Sequence, residues 1–153
     1  MYYSSRGELV PDELTIELWK AQVENLSKCH IYKPDIDFLI LDGIPRNVRQ
    51  AEILSDMLEV HQVFRLSCPD RIELANRLRK RALKDNRIDD ASEEVITRRI
   101  AAYEQETLPI LEYYPKEIIT WIDATQPPVK VLADIIARIT VLPIYNEMAN
   151  RML

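Results

Sequence analysis

Short apolar, β-prone runs alternate in this chain with longer stretches of helical spacing, and that alternation restricts the fold more than any other feature. Phe38–Leu41, Gln62–Ser67 and Ile118–Ile122 read as strands, the first of them buried. Helical stripes fill the intervals. Leu14, Leu18, Val23 and Leu26 follow the proline and acids of Pro11-Asp12-Glu13, a helix start. Val48, Ala51, Leu54 and Leu58 share a face from about Asn47, and Ile72, Ala75 and Leu78 follow Pro69. Asp90 with Glu93 reads as a cap for a long helix carrying Ile96, Ile100, Tyr103, Thr107 and Ile110, the last three as packing residues. Pro127-Pro128 opens a helix expected to turn Val129, Leu132, Ile136 and Ile139 inward, and the tail after Pro143 is amphipathic. Strands separated by helices imply βαβ units and a parallel sheet flanked by helices. A length of 153 residues fits one domain with a sizeable core.

The chemistry concentrates where the first strand-like run ends. Asp42-Gly43-Ile44-Pro45-Arg46, with Gln50 four residues on, joins a strand to a helix. Open α/β sheets place ligands at the carboxyl ends of their strands. An arginine there offers a planar fork that meets a phosphate bidentately. A basic stretch downstream, Arg77-Leu78-Arg79-Lys80-Arg81, precedes Arg87-Ile88-Asp89-Asp90 and points the same way. Each feature has a plainer reading: a salt-bridged turn for Asp42 and Arg46, a surface helix position for Gln50, a solvated face for the arginines. Only Gly7 and Gly43 are present, so the chain holds no phosphate loop of the G-x-x-x-x-G-K type.

Composition excludes some partners. Twenty basic against 25 acidic residues, a net charge of −5, argues against coating a nucleic-acid polymer. No apolar run approaches the roughly 18 residues of a membrane span, and the chain reads as soluble and cytoplasmic. Cys29 and Cys68 lack metal or redox spacing and read as reduced, partly buried thiols. His30 and His61 read as surface residues, Trp19 and Trp121 as packing ones.

Four stretches in order resemble the adenylate kinase and nucleoside monophosphate kinase family. Gly7-Glu8-Leu9-Val10-Pro11-Asp12-Glu13 resembles the segment whose backbone lies against the AMP adenine. Asp42-Gly43-Ile44-Pro45-Arg46 with Gln50 resembles the D-G-F-P-R…Q signature. Arg87-Ile88-Asp89-Asp90 with Arg98, Tyr103, Thr107 and Pro109 resembles the run after the lid, and Ile122–Pro127 the stretch bordering the ATP adenine. The resemblance implies a P-loop nucleoside monophosphate kinase fold, a three-layer parallel sheet flanked by helices. It implies reversible, Mg²⁺-dependent transfer of the ATP γ-phosphoryl group to AMP, a reaction governed by positioning and charge neutralisation. By the same resemblance Gly7, Leu9, Val10 and Gly43 border AMP, Arg46 clamps its phosphate and Gln50 reads its adenine. Asp42 holds Mg²⁺, through water. Arg77 and Arg81 reach the ATP phosphates, and Ala124 and Gln126 border the ATP base. Arg87 and Arg98 bind the transferring group and the AMP side, while Asp89 and Asp90 orient those arginines and the lid.

The chain departs from the family pattern at three places. It begins inside the monophosphate-binding segment, residues 1–26, without the first strand, the phosphate loop and its lysine. An upstream segment, re-pairing of strands, or self-association would fill the gap. The lid is short, residues 82–86, with Asn86 where glycine is usual, a tolerable exchange if the backbone turns to positive φ. Ala124 and Gln126 replace glycine and lysine near the ATP base. Residues 143–153 form an extension, and residues 1–153 are expected to make one domain. Three functions stand: an adenylate kinase-type enzyme with little activity as this chain alone, a UMP/CMP kinase, or a catalytically dead paralogue serving as a nucleotide-binding or partner module.

Overall fold

The computed structural model describes residues 11–86 and 88–151 and is a mixed α/β fold, with many helices around a small parallel sheet. Helix α1 (Asp12–Lys28) starts with Asp12 and Glu13 at its positive end and buries Ile16. It stops in a Schellman turn: Ile31 N–H donates to Leu26 O at 2.9 Å, His30 N–H donates to Ser27 O at 3.0 Å, and His30 takes φ +56°. Helix α2 (Val48–Ser55) is capped by Asn47, whose side chain accepts from Gln50 N–H. Strand β1 (Val63–Ser67) leads to α3 (Arg71–Lys84), where the Asp70 carboxylate accepts from Ile72 and Glu73 N–H. Asn86, at φ +58°, follows the end of α3 in the left-handed conformation that asparagine tolerates.

A 3₁₀ turn (Ile88–Ala91) precedes α4 (Glu93–Ala102). The cap of α4 is Ser92, whose hydroxyl accepts from Val95 N–H, and not the expected Asp90; a cap side chain reaches only N–H groups two or three residues on, and the first free ones of α4 follow Ser92. The expected long helix is also interrupted. Tyr103–Thr107 forms a π-turn, with Leu108 N–H donating to Tyr103 O at 3.0 Å, before the short helix α5 (Ile110–Tyr113). Pro109 has no N–H to give, and its ring crowds the carbonyl four residues earlier, so the ladder widens ahead of it. Strand β2 (Ile119–Asp123) pairs in parallel with β1, Val63 opposite Ile119 through Ser67 opposite Asp123. Helices α6 (Pro128–Ile139) and α7 (Pro143–Arg151) complete the chain.

Ala51, Ile110 and Tyr114 form the centre of a core into which Val48, Val60, Val63, Ile118 and Ile119 pack. Leu54 of α2 is 1% exposed. The amide of Gln62 locks the strand entrances together, donating to Ile118 O and, at 3.0 Å, to Thr120 Oγ1.

Several expectations need correction. Phe38–Leu41 is not a strand: among the described residues the sheet has two strands only, and this segment joins neither. A β-prone run becomes a strand only when another segment takes up its hydrogen bonds; here Phe38 stacks on Tyr145 of α7, 6.1 Å between ring centroids, and Ile40 faces solvent. Helix α6 turns three of its four expected inward residues outward, Val129 at 80% exposed and Leu132 and Ile136 at least half exposed, while Ile139 is half-buried as expected. A second stripe, Val131, Ile135 and Ile139, is the half-buried one. Trp121 is largely exposed, lying with its ring 3.9 Å from the Arg65 guanidinium; the strand's alternation puts it opposite Arg65, away from buried Ile122. Leu18, Ile72 and Tyr103 are exposed, as is the Cys29 thiol, which sits in the turn that ends α1.

Candidate functional site

The Asp42–Gln50 turn is built from the backbone outward. Gly43 takes φ +77°, a conformation a side chain would strain, and its carbonyl accepts from Arg46 Nε at 2.8 Å. The Ile44–Pro45 peptide is cis. Arg46 is held from two further directions: its N–H donates to Gln50 Oε1 at 2.8 Å, and its carbonyl accepts from Thr107 Oγ1 at 2.8 Å. The turn is thereby tied to the π-turn ahead of α5. The Arg46 side chain is exposed, and among the described residues no hydrogen bond engages its terminal amino groups. A guanidinium fixed at Nε with its outer edge open is shaped for an oxyanion. Asp42 is exposed beside it. One free carboxylate suits Mg²⁺ held mainly by water and phosphate oxygens, and among the described residues no group of three potential ligands forms a cage.

Gln50, by contrast, is 4% exposed. Its Nε2 donates to Asp12 Oδ1 at 2.6 Å, while Asn47 Nδ2 donates to Asp12 Oδ2 at 2.9 Å. Asn47 Oδ1 in turn accepts from Gln50 N–H at 2.8 Å. One carboxylate at the start of α1 thus holds both polar side chains at the start of α2.

A second cluster joins α3 to the loop after β2. Arg77 donates to the carbonyl of Ala124 and, at 3.0 Å, to that of Thr125, with Nε on Glu73 at 2.7 Å. The Glu73 bond, with its charge, raises the Arg77 pKa above its ordinary value. Asp123 Oδ1 accepts from Thr125 Oγ1 at 2.6 Å and from Thr125 N–H at 2.8 Å; those two bonds, ahead of the Arg77 charge, hold its carboxyl below the usual range. Gln126 Nε2 donates to Asp123 O at 3.1 Å and to Asp134 Oδ2 at 3.0 Å.

The structure therefore brings Gly43, Arg46 and Gln50 together by hydrogen bonds, and likewise Arg77 and Ala124. Arg81 and Arg98 stand apart: each pairs with an acid on its own helical course, Arg81 with Asp85 and Arg98 with Glu94, both at 3.8 Å. Asp90 pairs with Arg99 at 3.3 Å. Gly7, Leu9, Val10 and Arg87, and the side chain of Asp89, lie outside the described residues. Asp12, Asn47, Glu73 and Thr107 act on the two clusters without having been named as site residues. Asn47 was legible, as the cap three residues before Gln50; the reach of Asp12 across 38 positions of sequence was not.

An arginine fixed with its outer edge open in the turn before a helix, within a parallel α/β fold, suits a protein that binds an oxyanion. A family model described as adenylate kinase matches residues 2–119. The chain is 39% identical over 139 residues to an adenylate kinase of Cyanothece sp. (strain PCC 7425 / ATCC 29141), covering 87% of this chain and 67% of that protein. It is 37% identical over 117 residues to one of Synechococcus sp. (strain JA-2-3B'a(2-13)), covering 73% of this chain and 56% of that protein. The match to one of Thermobifida fusca (strain YX) is 36% over 132 residues, or 82% and 65% of the two chains. The chain belongs to the adenylate kinase family. It spans between 56% and 67% of the length of these relatives.

Proposed function

We propose that this chain binds AMP at the Asp42–Gln50 turn and serves an adenylate kinase-type phosphotransferase, moving the ATP γ-phosphoryl group reversibly onto AMP. The observation that carries this reading is Arg46, whose Nε is fixed on Gly43 O at 2.8 Å while its outer edge stays open. Such a fork would take two oxygens of the monophosphate, with the turn supplying orientation. Asp42 would hold Mg²⁺ through water, the ion neutralising charge between the nucleotides. Ala124 and Gln126 would border the ATP base, with Arg77 bracing that loop. Arg81 and Arg98 would swing onto phosphates once substrate displaces their intrahelical partners, Arg87 would bind the transferring group, and Asp89 and Asp90 would orient these arginines. The exposed ion pairs of Arg81 and Arg98 cost little to break, about 1 kcal/mol or less each, which supports that role. On this reading residues 1–153 form one α/β domain, residues 82–86 its short lid, and the two strands belong to a three-layer sheet. The loss of a single charge-stabilising group costs roughly 10² to 10³ in rate. With neither a phosphate loop nor its lysine in these 153 residues, they alone should turn over slowly or not at all.

Calorimetric titration with two adenosines joined by five phosphates, in Mg²⁺, tests the reading. Micromolar binding that Arg46→Ala abolishes is the expected result. A folded chain that binds neither this compound nor AMP would overturn it and leave a partner-binding module in its place.

A further inference from the structure

Strand β1 has no neighbour on its outer side among the described residues, where the sheet consists of β1 and β2 alone. The carbonyl of Ser67 accepts from Ala124 N–H at 2.9 Å, so Ser67 turns its backbone groups toward β2. Val63 and Arg65 share that direction, and Phe64 and Leu66 point theirs the opposite way. Their N–H and C=O groups form an open edge. Leu66 lies in register with Ile122 on one face of the sheet, yet Ile122 is 5% exposed and Leu66 52%. Helix α6 packs against β2, and Leu66 on β1 is left open. Strand edges are commonly blunted by proline or by an outward-pointing charge, and β1 uses neither. Its single charged residue, Arg65, lies over the ring of Trp121 on β2. Among the described residues, Arg65 Nε is buried with no hydrogen-bond partner.

We propose that β1 is the interface through which two copies of this chain pair, the two strands running antiparallel about a two-fold axis. Register decides whether such pairing is favourable. Centring the axis on Arg65 sets two arginines directly opposite each other, which is destabilising. Centring it on Phe64 puts Leu66 against Gln62, whose amide nitrogen is already engaged by Ile118 O and Thr120 Oγ1. Centring it on Leu66 sets Leu66 against Leu66, Arg65 against Ser67 and Phe64 against Cys68. No like charges meet there, an apolar pair occupies the centre, and Arg65 faces a hydroxyl. The N–H and C=O of Leu66 exchange two hydrogen bonds with those of its own counterpart across the axis. Because the edge meets itself, the contact closes at two copies. A two-stranded sheet, marginal by itself, becomes four-stranded in the order β2-β1-β1-β2. Pairing draws on no residue of the proposed monophosphate site.

Sedimentation velocity of the 153-residue chain, from low-micromolar to millimolar concentration, tests the pairing. The expected result is a concentration-dependent rise toward twice the 17.9 kDa of one chain. Leu66→Lys sets two like charges opposite each other and should weaken the dimer at least about tenfold, with the circular dichroism of a folded chain retained. Leu18→Lys, 62% exposed on α1, should leave the dimer unchanged. Leu66→Cys, combined with Cys29→Ser and Cys68→Ser, puts two thiols on Cα atoms about 5.5 Å apart, within disulfide reach. Diamide should then cross-link two chains. Phe64→Cys in the same background should not cross-link, since Phe64 stands opposite Cys68 rather than itself. A chain that stays monomeric throughout overturns the proposal and leaves the edge to another segment or protein. A dimer that survives Leu66→Lys, or that Leu66→Cys does not cross-link, overturns the β1 interface.

Discussion

His30 carries a cost that a single substitution removes. It occupies the left-handed position after α1 at φ +56°, where any residue with a Cβ is strained by roughly 1–2 kcal/mol. Glycine escapes that strain but has more freedom to lose on folding, so the two effects partly cancel. His30→Gly is expected to stabilise the protein by about 1 kcal/mol, read as a higher denaturation midpoint at unchanged slope. Gly43 is the mirror case: at φ +77°, with Arg46 Nη2 3.6 Å from where a Cβ would stand, an added side chain would load strain onto the turn that fixes Arg46. At this scale much could be read in advance. The glycine of the turn, the Asn47 cap and the tolerance of Asn86 for positive φ follow from local sterics that depend on a few neighbours. The left-handed His30 did not, because the run after α1 holds no glycine or asparagine to mark the stop.

The loop between β2 and α6 is a polar element whose strength depends on pH. Asp123 is held below the usual carboxylate range first by the Thr125 hydroxyl, and Asp134 first by Lys130 and then by Gln126. A carboxyl depressed in the folded state stabilises it above the unfolded value of about 3.9 and loses that contribution as pH falls through the lower folded value. Thr125→Val removes the hydroxyl while leaving the Thr125 N–H bond to Asp123. It should lower the melting temperature near neutral pH, and the difference from wild type should shrink as the solution is acidified below the carboxylate range. A difference independent of pH would refute the assignment to Asp123. Helix α6 beyond this loop shows why elements were legible but their facing was not. Val129, Leu132 and Ile136 form one apolar stripe and Val131, Ile135 and Ile139 another, so periodicity announces a helix without choosing a side. Packing against β2 chose the second.

At the scale of the molecule, stability rests on the core where α2 and α5 meet the strand entrances. Leu54→Ala, at 1% exposure, should cost roughly 2–5 kcal/mol in urea unfolding, a large part of what a domain of this size has to spare. Val129→Lys, at 80% exposure, should change stability by no more than about 0.5 kcal/mol, and a larger loss would mean that the outer face of α6 is covered in solution. What the sequence determined by itself was local: an α/β alternation, most helices and their starts, and a glycine-bearing turn at Asp42–Arg46. These rest on spacing, capping and backbone sterics, which act within a few residues. The tertiary structure alone decided that Phe38–Leu41 goes unpaired among the described residues, which stripe of α6 turns inward, and that Gln50 is buried against Asp12. Each of those is settled by a partner distant in sequence, and a hydrogen bond or a buried face exists only once that partner has arrived.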